Sequence, residues 1–216
     1  MKIAIVGATG VIGQRIAAEA LRRGHQVTAV ARDPGKVTGT DAQFTAVQGD
    51  ALDAESMAGA VRGADAVVSA VGPGHTGAQP DSMVLDHARA LIAGAKAAGV
   101  RRVLAVGGAG SLEVAPGVQL VDTPEFPAAW KGIALAHRDV LELWRGPEAA
   151  ELEWTYASPA ALIEPGERTG TFRTGNDTLL TDAQGNSRIS AEDFAVAVVD
   201  ELEQQRHVRS RFTVAY

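Results

Sequence analysis

Short apolar blocks alternate with mixed polar stretches along the chain. Ile3 to Val6 is an uninterrupted, largely β-branched run, the pattern of a strand buried on both faces. Gly7-Ala8-Thr9-Gly10-Val11-Ile12-Gly13 follows. Ile16, Ala17, Ala20 and Leu21 then recur at helical spacing over Gln14 to Arg23, with Gly24 as a left-handed cap. Gln26 to Ala31 predicts a second strand before the turn Arg32-Asp33-Pro34-Gly35, and Phe44 to Gln48 a third ending in Gly49-Asp50. Asp53 caps a short helix through Ala60. Asp65 to Val71 reads as a fourth strand leading into Gly72-Pro73-Gly74-His75-Thr76-Gly77. Asp81 or Ser82 then caps an Ala-rich helix that ends near Gly99, and Arg102 to Val106 is a fifth strand before Gly107-Gly108-Ala109-Gly110-Ser111. Strands alternating with helices predict an α/β fold with a parallel, doubly wound sheet.

The last third is less regular. Residues 112 to 127, with Pro116, Pro124 and Pro127, read as a long loop, and loops of that length usually serve a function. Trp130 to Trp144 predicts a helix, Glu153 to Ala157 a sixth strand, and Thr169 to Arg188 short strands and turns. Ser190-Ala191-Glu192-Asp193 is a variant capping box opening a helix to about Glu203, and Arg211 to Ala215 adds an edge strand. No repeat or linker divides the chain. The expectation is one domain over 1–216, with 160–216 contributing to the substrate side.

Composition narrows the function. Of 216 residues none is cysteine, which excludes a disulfide framework, a thiolate nucleophile and a Cys-ligated metal. The histidines, His25, His75, His87, His137 and His207, lack metal-ligand spacing, so no metal is expected. A net charge of −6 without a basic run argues against nucleic acid. No apolar stretch nears the roughly 20 residues that cross a bilayer, and the N-terminal run is too short for a signal peptide. No membrane partner and a cytoplasmic location are expected; oligomeric state is unreadable.

The glycine cluster carries the chemistry. Between a buried strand and a helix, Gly7 allows a tight turn, Gly10 a close approach of backbone to a pyrophosphate, and Gly13 close helix–sheet packing. Thr9, Val11 and Ile12 complete the cradle, and free N–H groups at the helix start face the anion. The competing reading is a βα turn that binds nothing, but such a turn needs one glycine rather than three. At the end of the second strand, where NAD-binding versions carry a carboxylate, stands Arg32, a clamp for a 2′-phosphate or else a solvated surface cation. Pro34 turns Asp33 elsewhere, so NADP(H) is favoured over NAD(H). Asp50-Ala51 is placed for an adenine contact, unless Asp50 only caps the next turn. Ala70-Val71-Gly72 lies on the ligand-binding edge of the sheet.

Together, Gly7 to Gly13, Gly107 to Ser111 and Trp154-Thr155-Tyr156-Ala157-Ser158-Pro159 resemble an atypical short-chain dehydrogenase/reductase. The likeness is to the NAD(P)H-binding group of NADH-flavin-reductase-like, NmrA-like and biliverdin/flavin-reductase-like proteins. It implies a Rossmann sheet, NADP(H) across its carboxyl edge, and Ser158 and Pro159 near the nicotinamide. Many members of the superfamily carry a Tyr-x-x-x-Lys pair on the helix after the fifth strand. Here the comparable places hold Trp130 and Ala134, and the tyrosines are Tyr156 and Tyr216. Without that pair an ordinary ketone lacks its proton donor, whereas a flavin, quinone or tetrapyrrole takes hydride into a conjugated system.

His137 shares the apolar stripe Ile133, Val140, Leu141 and Trp144, and is a candidate proton donor or substrate ligand, or else a core histidine. Ser111 is a candidate for holding a substrate carbonyl, or else a cap. Phe126 and Trp130 are candidates to cover a flat ring, or else core aromatics, and His75 has no assigned role. The leading reading is an NADPH-dependent reductase of a small conjugated acceptor such as flavin or quinone. The alternative is a non-catalytic NADP(H) sensor of the NmrA-like kind, and an epimerase comes third.

Overall fold

The apolar runs become central strands because helices cover both of their faces. The computed structural model describes residues 1–37, 39, 41–72 and 83–216. Lys2–Val6 (β1) sends Ile3 and Ile5 into one core layer and Ala4 and Val6 into the other. It pairs in parallel with Gln26–Ala31 (β2) and with Ala66–Ser69 (β4). Phe44–Gln48 (β3) extends the sheet beyond β2, and Arg102–Val106 (β5) beyond β4. Glu153–Ser158 (β8), Ser210–Ala215 (β12) and Arg173–Gly175 (β10) complete the order β10-β12-β8-β5-β4-β1-β2-β3. Among the described strands of this sheet only β10 is antiparallel to its neighbour. The doubly wound parallel sheet read from the sequence is thus present.

Val11–Arg22 (α1) and Ala191–Gln204 (α5) pack on the face of Ile3, Ile5, Phe194 and Phe212. Ala54–Val61 (α2), Met83–Ala98 (α3) and Ala128–Arg145 (α4) cover the face of Met57, Leu91, Trp144 and Tyr156. The expected caps form. Gly24 takes φ +81° after α1, Asp53 Oδ1 accepts from Ser56 N at 2.8 Å, and Ser190 Oγ accepts from Asp193 N at 2.9 Å. Helix α1 starts earlier than the periodicity predicts, because its first rung runs from Gln14 N to Gly10 O at 3.0 Å.

Two expectations need correction. Strand β12 is not an edge: β8 and β10 flank it, and β10 forms the edge. The 112–127 segment is not a plain loop, since Glu113–Ala115 (β6) and Val118–Gln119 (β7) make a hairpin that turns at Gly117, φ +74°. The hairpin is tied down where Glu113 N donates to Asp177 O at 2.8 Å and Leu179 N to Glu113 O at 2.9 Å. Within residues 160–216, α5 and β12 belong to the main framework. The segment outside it contains Leu162–Glu164 (β9) paired with Arg188–Ser190 (β11). The stretch beyond Gly72, including His75 and the candidate caps Asp81 and Ser82, lies outside the described residues.

Candidate functional site

Strands β1, β2, β3, β4, β5 and β8 all point one way, so the residues after them share one edge of the sheet. Its order is Asp50 and Ala51 after β3, Arg32 after β2, Gly7 to Gly13 after β1, Ala70 to Gly72 after β4, Gly107 to Ser111 after β5, and Ser158 and Pro159 at the end of β8. Five strand spacings make this about 24 Å of edge. The chain leaves β1 in one direction for β2 and leaves β4 in the other for β5. The topological switch point, where open α/β sheets bind ligands, therefore lies between β1 and β4.

The glycines at that point have different reasons to be there. Gly7 has φ +84°, and a Cβ on it would lie 2.7 Å from the Ala70 carbonyl oxygen. A Cβ on Gly13 would lie 2.1 Å from Gly7 O, so α1 sits directly on the turn. Gly10 is different: its nearest neighbour to a Cβ is Gly7 O at 3.4 Å, ordinary contact at an ordinary φ of −77°. Among the described residues nothing requires a bare Gly10. Helix α1 also starts without a side-chain cap or an acidic residue in its first turn, which leaves its first amides for an anion. Thr9 is exposed, with its carbonyl accepting from Gln14 Nε2 at 2.7 Å, while Val11 and Ile12 are half-buried.

Farther along the edge, Arg32 is exposed and has no ion pair among the described residues. Its neighbour Asp33 accepts from Gly35 N at 3.2 Å and pairs with Lys36 at 3.2 Å, turned back on its own loop as Pro34 suggested. Asp50 Oδ1 accepts from Leu52 N at 3.0 Å, and Asp50 N donates to Ser56 Oγ at 2.9 Å. The turn-capping reading of Asp50 is therefore realised through one carboxylate oxygen. Ala70 N donates to Val6 O at 2.9 Å, which fastens the switch point, and Val71 and Gly72 continue along the edge. Ser158 is fully buried, and its hydroxyl lacks a hydrogen-bond partner among the described residues. An orphaned hydroxyl where a strand meets the ligand edge is what an amide-bearing ligand would satisfy.

The glycines after β5 make room for Tyr156 of β8 and for helix α4. A Cβ on Gly107 would fall 2.0 Å from the Tyr156 ring, on Gly108 3.3 Å from His137 Cβ, and on Gly110 2.8 Å from Ala134 Cβ. Leu141, His137, Ala134 and Trp130 follow one another up a single stripe of α4. The lower three rungs face the core and the glycines; Trp130 stands one turn beyond them, 62% exposed. Phe126 is half-buried in the segment before α4.

Both tyrosines are committed elsewhere. Tyr156 is fully buried and donates from its hydroxyl to His137 O at 2.9 Å, with His137 Nδ1 at 3.3 Å; burial pushes its phenol well above the usual range. The Tyr216 hydroxyl lies 2.9 Å from Asp193 Oδ2 and 2.9 Å from Ser190 Oγ. Ser111 is buried, and its hydroxyl accepts from Arg211 Nη1 at 2.8 Å; Arg211 in turn pairs with Asp177. The observed partner of the Ser111 hydroxyl is thus a guanidinium one hundred residues away rather than a backbone group of its own turn.

His87 was given no role by its sequence context, yet it is 5% exposed and joins two parts of the edge. Its Nδ1 lies 2.9 Å from Ala51 O and its Nε2 2.8 Å from Ser69 Oγ. Desolvation by burial lowers its pKa. Among the described residues no cluster of His, Asp and Glu forms a metal site, and no helix is long and apolar enough to cross a membrane.

Comparison with known proteins places the chain in a family. The profile of the NAD(P)H-binding family matches residues 7–205. The chain is 41% identical over 219 residues to YwnB, an uncharacterized protein of Bacillus subtilis (strain 168), covering 99% of this chain and 98% of that one. A Burkholderia pseudomallei crystal structure, of a protein provisionally named as exported, shares 56% identity with a TM-score of 0.91 over 100% of both chains. One from Streptococcus pneumoniae, provisionally named an NADH-flavin reductase, shares 34% identity and a TM-score of 0.84, covering 100% of this chain and 99% of that one.

Proposed function

As the chain belongs to the NAD(P)H-binding family, we propose that it is an NADPH-dependent reductase of flat conjugated acceptors such as flavins or quinones. One observation carries the choice of acceptor. Where α4 overhangs the edge, its stripe offers Trp130, Ala134 and His137, with no tyrosine beside a lysine. Both tyrosine hydroxyls of the chain are bonded within the framework. A developing alkoxide would find no phenol to protonate it, whereas a conjugated ring spreads the incoming charge and takes its proton from water.

When bound, NADPH supplies a hydride. In this reading the backbone of Gly7, Thr9, Gly10, Val11, Ile12 and Gly13 holds the pyrophosphate, and Arg32 the 2′-phosphate. Asp50 and Ala51 meet the adenine. Ala70, Val71 and Gly72 line the middle of the edge, and Ser158 and Pro159 meet the nicotinamide carboxamide. His137 holds a polar atom of the acceptor, and Trp130 covers its ring. The Ser111 hydroxyl accepts from Arg211 Nη1 and keeps its own proton to donate to a substrate carbonyl. The cytoplasm, where NADPH is regenerated, is the compartment this reading favours.

The test is a steady-state assay of nicotinamide absorbance with FMN, riboflavin, quinones and simple ketones as acceptors. Oxidation of NADPH faster than NADH, with flat acceptors and not with ketones, is expected. Tight NADP(H) binding without turnover of any acceptor would identify a redox sensor instead.

A further inference from the structure

The His87 ring occupies the junction between the switch point and the loop after β3. A backbone carbonyl only accepts, so the 2.9 Å contact to Ala51 O puts the proton on Nδ1. Nε2 then presents its lone pair to the Ser69 hydroxyl at 2.8 Å. One neutral tautomer satisfies both bonds, and burial favours that uncharged form. Ser69 immediately precedes Ala70, whose carbonyl crowds Gly7. The ring therefore fixes the Ala51 peptide relative to the glycine turn.

The carbonyl His87 holds belongs to the Ala51–Leu52 peptide, whose N–H donates to Asp50 Oδ1, so Ala51 is fixed from its C-terminal side; its own N–H, one peptide unit upstream, makes no hydrogen bond among the described residues. Beside it, Asp50 accepts through Oδ1 within its turn, and among the described residues its Oδ2 has no hydrogen-bond partner. The loop thus offers one donor and one acceptor on adjacent residues. Adenine carries the complementary pair, an N1 acceptor and an N6 amino donor. We infer that His87 is a positioning residue for the adenine end of the coenzyme: by holding Ala51 O it orients the donor and acceptor that read the base. This rests on the reading that a dinucleotide lies along the edge, but not on the identity of the hydride acceptor.

Hypoxanthine reverses both adenine groups, presenting an N1–H donor and an O6 acceptor, so the hypoxanthine analogue of NADPH tests the inference. Calorimetric affinities for NADPH and this analogue are compared in the wild type, His87→Leu, His87→Gln and Ser69→Ala. The wild type is expected to prefer the adenine coenzyme about tenfold, the scale of one well-made charged hydrogen bond. That ratio should fall toward one in His87→Leu and recover in part in His87→Gln, whose amide retains a donor and an acceptor. If the leucine variant does not fold, the ratio in His87→Gln and Ser69→Ala should still lie below that of the wild type. An unchanged ratio in the folded variants, or no preference in the wild type, overturns the inference. NADPH binding with a His87-dependent ratio but no turnover would uphold it while removing the reductase reading.

Discussion

A Cβ placed on Gly13 would lie 2.1 Å from the Gly7 carbonyl oxygen, whereas one on Gly10 would lie 3.4 Å from the same atom. The two glycines therefore separate folding from binding. Gly13→Ala should destabilise the protein by about 3 kcal/mol, because backbone must shift to admit the methyl group. Gly10→Ala should melt near the wild type, while Gly10→Val should fold and lose coenzyme affinity at least about tenfold. Thermal melts paired with NADPH titrations check both.

Trp130 should matter for the acceptor alone. At 62% exposure it contributes little to the fold, so Trp130→Ala should keep its melting temperature within a few degrees. Its KM for a flavin or quinone should rise roughly tenfold through lost ring stacking, with NADPH affinity unchanged and Trp130→Phe restoring most of the loss. Steady-state kinetics with each substrate varied in turn reads this out.

Glu19 joins α1 to the loop before β10. Its buried carboxylate accepts from Arg22 at 2.6 Å, Arg23 at 2.8 Å and Arg168 at 2.9 Å. Desolvation opposes the charge, but the guanidinium bonds prevail and hold the group well below the usual carboxylate range. Glu19→Ala removes the shared acceptor of three guanidinium groups, but Arg22 and Arg168 reach solvent and Arg23 keeps Asp200 and Glu203, so it should cost about 2 kcal/mol in urea unfolding. Because the folded pKa is depressed, this contribution is present above the ordinary carboxylate pKa and lost as pH falls through the folded value.

His87 titrates with the opposite charge type but the same direction in pH. Its folded pKa lies below the ordinary 6.5. Above 6.5 both folded and unfolded forms are neutral; below it the unfolded chain takes up a proton that the native ring resists. Stability should decline as pH drops under 6.5 and level off once the native ring is itself protonated. His87→Gln should flatten that portion of the melting-temperature profile.

The parts of the site that lie close together in sequence were legible. Gly7, Gly10 and Gly13 are spaced by the turn itself, and Gly24 and Asp53 mark helix ends through local backbone chemistry. Partners distant in sequence were not. His87 sits in an Ala-rich helix, and its bonds go to Ser69, 18 residues away, and Ala51, 36 away, neither of which alters any local pattern. The bond from Arg211 to Ser111 was not legible because it comes from β12, one hundred residues away. The hairpin of β6 and β7 escaped notice because strands of three and two residues are too short to show alternation. Strand β12 read as an edge because only the short β10 lies outside it.

The central claim is that dinucleotide phosphates rest on the bare backbone between β1 and α1, and isothermal titration of the folded protein with NADPH measures it most directly. Saturable heat at one coenzyme per chain, weaker with NADH and absent in Gly10→Val, is the predicted result. No heat from either coenzyme would contradict the account.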